Sequence, residues 1–117
     1  MEYRNEILDL SFEFALEIIE YSELLDSNRK YVIARQLLRS GTSIGANIQE
    51  AQSSESRADF IYKIKIAHKE AIETNYWLLL CEKAENYPSP PIGMKGMMLS
   101  IQKLLNKIIS SAKSKKQ

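Results

Sequence analysis

The chain has 117 residues, with 16 Lys and Arg against 15 Asp and Glu and 44% apolar residues. That length suits one domain with its own core and is too short for two, and the composition excludes wholesale disorder. A single cysteine, Cys81, excludes an intramolecular disulfide and a cysteine metal cluster. No stretch approaches the roughly 18 uninterrupted apolar residues of a membrane span. MEYRNEILDL also lacks the basic start and long apolar run of a secretory leader, so the expected location is the cytoplasm.

The formal net charge of +1 conceals a strong segregation. Residues 1–28 hold eight acids against Arg4, a balance of −7, and residues 29–117 hold fifteen Lys or Arg against seven acids, a balance of +8. From Ile92 onward there are six lysines and no acid. One face is therefore expected to avoid polyanions and another to attract them.

Residues 3–25 predict a first helix. Ile7, Leu10, Phe14, Ile18, Tyr21 and Leu25 make one apolar stripe, Leu8, Phe12, Ala15 and Ile19 make a second, and Glu6, Asp9, Glu13, Glu17 and Glu20 form a solvated acidic ridge opposite. Asp26, Ser27 and Asn28 supply turn and N-cap chemistry for the next helix, expected over 29–54.

That second helix carries the stretch RQLLRSGTSIGANIQEAQ. Ile33, Leu37, Ser40, Ile44 and Ile48 share one side. Gly41 and Gly45 lie one turn apart, and each interior glycine costs a helix about 1 kcal/mol relative to alanine. A tight helix crossing is the expected reason, in preference to a binding loop. Arg35 and Arg39, also one turn apart, are expected to point the same way.

After the break at Ser53 to Ser56, where Ser56 and Asp59 weakly resemble a capping box, a third helix is expected over 57–85. Phe60, Ile64, Ala67, Ala71, Thr74, Leu78 and Cys81 form its stripe, with Ile61, His68, Ile72 and Leu79 beside it. Tyr76, Trp77 and Leu78 to Leu80 make its later turns apolar nearly all round, which suggests central burial or an oligomer interface. Lys63, Lys65 and Lys69 offer a basic patch, and Lys69 with Glu73 equally fits an i,i+4 ion pair. Three prolines and two glycines in NYPSPPIGMKG then break the chain.

A last helix is expected over 94–112, with Met94, Met97, Ile101, Leu104, Ile108 and Ala112 as its seam and Met98, Leu105 and Ile109 at the flanks. Lys103 and Lys107 share its outer face, and the tail from Lys113 should fray. Four amphipathic helices with short connections predict one all-α domain, an antiparallel up-down-up-down four-helix bundle.

Candidate chemistry is sparse. His68 is the only histidine and has Lys65 where a di-iron Glu-x-x-His motif needs Glu, so that class and the His-Glu-x-x-His zinc class are excluded. A hydrogen-bonded core histidine is favoured for His68 over a catalytic base. The Arg and His pair of helical ribonuclease toxins is not matched by Arg57 and His68, which lie too far apart. No phosphate-binding glycine loop has Walker or Rossmann spacing. Cys81, within WLLLCEK, reads as a buried thiol. No catalytic residue, metal site or cofactor is expected.

Arg39, Ser43, Ile44, Asn47, Ile48 and Glu50, in RSGTSIGANIQE, resemble the motif of the four-helix-bundle family of 23S rRNA intervening-sequence proteins. Asp59-Phe60-Ile61, Ile66-Ala67, Glu70, Glu73 and Tyr76-Trp77-Leu78 extend the resemblance along the third helix. Many members have Pro where Gly45 stands and Gly where Ala51 stands. The resemblance implies a homopentameric ring without catalytic activity. It also implies a relation to the accessory proteins of diversity-generating retroelements, which bind a reverse transcriptase and nucleic acid. Within the motif, Arg39, Asn47, Glu50 and Glu70 are expected to form a buried interhelical network.

The expected function is thus a non-enzymatic oligomeric accessory protein that binds RNA or DNA. Arg35, Arg39, Lys63, Lys65, Lys69, Lys103 and Lys107 are the candidates for phosphate contact, although Arg39 cannot easily serve both phosphate and a buried network. The alternative is a scaffold that docks a protein partner such as a polymerase without touching nucleic acid. No membrane contact is expected.

Overall fold

Four helices form where the apolar spacing places them: α1 (Glu2–Ser27), α2 (Tyr31–Ala51), α3 (Arg57–Lys83) and α4 (Met94–Ser114). The computed structural model describes the backbone of residues 2–114 and the side chains from Glu6 to Ser114. Each helix packs on its two neighbours, α1 on α2, α2 on α3, α3 on α4 and α4 on α1, so α1 and α3 stand on one diagonal and α2 and α4 on the other. The result is an up-down-up-down four-helix bundle in a body of 51 × 21 × 19 Å.

The helix ends follow from local chemistry. Arg29 adopts φ +66°, and the N–H groups of Arg29 and Lys30 bond the carbonyls of Asp26 and Leu25 at 2.9 Å each. This is a Schellman closure with a non-glycine residue in the left-handed position. Ser27 Oγ and Asn28 Nδ2 both donate to the Leu24 carbonyl at 2.8 Å. These side chains therefore finish α1 rather than cap α2, whose N-cap Lys30 makes no side-chain bond. The left-handed turn is also why α2 begins at Tyr31 and not at Arg29.

At the other end of α2, the N–H groups of Gln52, Ser53 and Ser54 tighten onto carbonyls three residues back, which stops the helix at Ala51. Ser56 caps α3 by accepting from the Asp59 N–H at 3.0 Å, and Asp59 Oδ2 accepts from the Glu55 N–H at 3.4 Å. α3 ends at Lys83 with Ala84 extended. The Pro-rich connection is pinned to the bundle by the Tyr21 hydroxyl, which donates to the Pro88 carbonyl at 2.6 Å. α4 continues through Lys113 to Ser114, where fraying was expected, and the rest of the tail lies outside the described residues.

The core joins one stripe from every helix. Ile7, Phe14, Ile18, Tyr21 and Leu25 of α1 are buried, as are Leu37, Ser40, Ile44 and Ile48 of α2 and the whole expected stripe of α3. On α4 the buried line is Met94, Met98, Ile101, Leu105 and Ile108, while Met97, Leu104, Ile109 and Ala112 pack only at its edge. The seam is thus turned from the one expected, because α4 must face both α1 and α3. The second α1 stripe divides: Leu8 packs at the edge of the core and Ala15 is partly buried, whereas Phe12 and Ile19 are exposed.

Gly41 is the tight crossing. A Cβ there would stand 2.8 Å from both Cγ1 and Cγ2 of Ile18 on α1, whereas one at Gly45 would meet Ser11 Oγ at an ordinary 3.4 Å. Branching makes Ile18 stiff, so it cannot swing aside cheaply. We expect Gly41→Ala to lower stability by about 1–3 kcal/mol through overpacking despite better helix propensity. Gly45→Ala should be neutral or stabilising by up to about 1 kcal/mol. Urea unfolding of the two variants beside the parent chain checks both signs.

Candidate functional site

The polar motif of α2 divides by direction. Ile44 and Ile48 point into the core and are fully buried. Ser43 Oγ donates to the Arg39 carbonyl at 2.7 Å and Asn47 Nδ2 to the Ser43 carbonyl at 2.8 Å, so both bond their own helix one turn back. Glu50 is exposed. The expected network of Arg39, Asn47, Glu50 and Glu70 is therefore reduced to its ends, because Asn47 is occupied locally and Glu50 lies on the water side of α2.

What forms instead is a clamp from Arg39 to two carboxylates of α3. Arg39 Nη1 lies 3.2 Å from Glu70 Oε1, and Arg39 Nη2 lies 2.6 Å from Glu73 Oε2. Glu73 Oε2 also accepts from the Trp77 indole at 3.0 Å. The hydrogen bond from Arg39, then that from Trp77, holds the Glu73 carboxyl below the usual glutamate range. The Glu73 hydrogen bond in turn raises Arg39. The clamp is not buried, since 48% of the Arg39 side chain meets solvent. Beneath it a buried link joins the same helices, the hydroxyls of Ser40 and Thr74 at 2.8 Å. Sequence reasoning missed Glu73 and Trp77 as partners, although their i,i+4 spacing was a usable signal.

Because Glu73 is taken by Arg39 and Trp77, the alternative Lys69 and Glu73 pair does not form. Arg35, Lys65, Lys69, Lys103 and Lys107 are exposed, and Lys63 is partly buried. Arg35 borders the groove containing Glu23 and Asp26 of α1, while Arg39 bonds α3, so the two arginines part company. The seven candidates thus do not converge: one is clamped, one lies toward α1, three are on α3 and two on α4.

His68 is only partly buried and makes no hydrogen bond among the described residues, unlike the satisfied core histidine that was favoured. Ala67 takes the inward position, and the next residue lies about 100° round the helix. Cys81 is buried beside the Tyr21 hydroxyl, and burial pushes its thiol above the ordinary range. Burial likewise pushes the Tyr21 phenol far up, with Cys81 adding to the effect. Among the described residues no three His, Cys, Asp or Glu side chains converge to hold a metal. No described helix is long and apolar enough to cross a membrane.

These features define an antiparallel four-helix bundle whose central α2 is joined to α1 by a glycine contact and to α3 by an arginine clamp. The family model for the 23S rRNA-intervening sequence protein matches residues 4–109, and the chain belongs to that family. It is similar to a solved structure of a protein of unknown function from the S23 ribosomal protein family of Bacteroides thetaiotaomicron VPI-5482. The two are 44% identical with a TM-score of 0.85, covering 92% of this chain and 98% of that one. Nothing among curated proteins matches the chain.

A carboxyl with a lowered folded pKa leaves the unfolded state binding more protons, so its contribution is present above the unfolded pKa and lost as pH falls through the folded value. Stability should therefore decline from just above the ordinary glutamate pKa of about 4.3 downward. Glu73→Gln is expected to flatten that decline and to cost at most about 1 kcal/mol at neutral pH, because the pair is solvent-screened. Chemical denaturation of both chains between pH 3 and pH 7, roughly the span of carboxyl titration, makes the comparison.

Proposed function

We propose that this chain is a non-enzymatic accessory protein that assembles from several copies in the cytoplasm. Each copy contacts RNA or DNA through the outer face of α4. The observation supporting this reading is that α4 contains no acidic residue while Lys103, Lys107 and Lys113 are exposed along it, Lys95 being paired with Glu82 of α3. Lys103 and Lys107 lie one turn apart on the side away from the buried Met94, Met98, Ile101, Leu105 and Ile108. Phosphates are bound by such lysines as point charges, with release of counterions. Several copies present the ridge repeatedly, which multiplies weak contacts.

Arg39 does not serve this surface, since Glu70 and Glu73 already neutralise it. The exposed apolar residues of the acidic α1 favour a second reading, in which the bundle docks a partner such as a polymerase without touching nucleic acid.

Fluorescence anisotropy with labelled structured RNA and duplex DNA, over a range of salt, separates the two. Salt-sensitive binding is expected, and Lys103→Glu with Lys107→Glu should weaken it and reduce the salt slope by about 2 per copy. Arg39→Gln should leave affinity unchanged. Absence of binding at low salt, with a protein partner recovered after nuclease treatment, would replace this reading with the second.

A further inference from the structure

Two helix faces left uncovered by the bundle match each other. On α1, Asp9, Phe12, Leu16, Ile19 and Glu23 follow one another at steps of three and four residues and are all exposed, Phe12 to 65%. On α3, Lys69, Ile72, Tyr76, Leu79 and Lys83 repeat the same steps and are all exposed, Tyr76 to 57%. That repeat of three and four residues is the one by which a helix presents a continuous seam to another helix. Each seam has three apolar side chains between two like charges, acidic on α1 and basic on α3. Both run through fourteen residue steps, about 21 Å at 1.5 Å per step.

The two seams cannot meet within one bundle, because α1 and α3 stand on a diagonal. We propose that the α1 seam of one copy packs against the α3 seam of a second copy, placing Asp9 and Glu23 opposite the lysines of its neighbour. Charge selects this arrangement over the symmetric ones. Pairing α1 with α1, parallel or antiparallel, sets acid against acid at both ends, and α3 with α3 sets lysine against lysine. Glu13 and Glu20 flank the first seam and reinforce its sign, while Glu73 beside the second is held by Arg39. Next to Phe12, Leu8, Ala15, Gly45 and Ala46 line a shallow groove that can seat a projecting ring such as that of Tyr76.

A contact between two different faces leaves every copy with one seam still open on each side. Addition therefore continues until a ring closes or a filament grows. The proposal rests on the oligomeric part of the function proposed above, and it assigns Lys69 and Lys83 to protein contact, leaving the α4 ridge to phosphate.

The test is the mass of the full, nuclease-treated chain by light scattering, with circular dichroism confirming that each variant is folded. The parent should exceed the mass of one chain. Asp9→Lys with Glu23→Lys, and separately Lys69→Glu with Lys83→Glu, should each fall to single-chain mass. An equimolar mixture of the two should regain the assembled mass, because the reversed α1 seam of one then fits the reversed α3 seam of the other. Parent mass retained by both double variants, or failure of the mixture to reassemble, would overturn the seam pairing while leaving assembly itself standing. A parent chain of single mass at every concentration would overturn the assembly as well.

Discussion

The missing side chain at Gly41 sets the spacing on which the bundle is built. Ile18 of α1 occupies the space where a Cβ would lie, at 2.8 Å from two of its carbons, so the two backbones lie closer than paired side chains would permit. On its other side α2 meets α3 through hydroxyls, Ser40 with Thr74, and through the Arg39 clamp above them. α2 is thus the shared partner of α1 and α3, held by a small-residue contact on one flank and polar bonds on the other. α4 closes the remaining side with an apolar line, to which Lys95 adds an ion pair with Glu82 of α3 at 3.6 Å, and the Tyr21 bond to Pro88 ties down the connection that leads to it.

Polar groups follow the same economy of position. Ser43 and Asn47 satisfy themselves on carbonyls of α2, which leaves the seam with α3 to Ser40 below and Arg39 above. The clamp lies at the surface, where water screens the ion pair, so its value is geometric as much as energetic. It also withdraws one arginine from the basic surface. The exposed cations that remain belong chiefly to α3 and α4, and the exposed acids to α1, so the charge segregation along the chain becomes a segregation around the bundle.

That arrangement connects the two surface proposals. Apolar residues uncovered on α1 and α3 occur between charges of opposite sign on opposite corners, whereas the outer side of α4 is polar and basic. The proposed contact between copies and the proposed contact with a polyanion therefore draw on different helices, and neither would require the other to be dismantled. The family membership accords with a bundle.

Helix number, helix type and most of the core were legible in the sequence, because an apolar period near 3.6 leaves a helix only one face to bury. The α3 stripe from Phe60 to Cys81 and the crossing at Gly41 are examples. The motif around Arg39 was also visible, but its partners were not: which carboxylate an arginine reaches depends on the relative rotation of two helices. Spacing along one chain does not specify that rotation. The same limit hid the turned seam of α4, the closure of α1 by Ser27 and Asn28, and the exposure of Phe12 and Ile19. The sequence by itself determined four amphipathic helices and a charge divided between them. Only the tertiary structure decided which apolar residues stayed outside and which charges found partners, because both depend on how each helix is turned against its two neighbours.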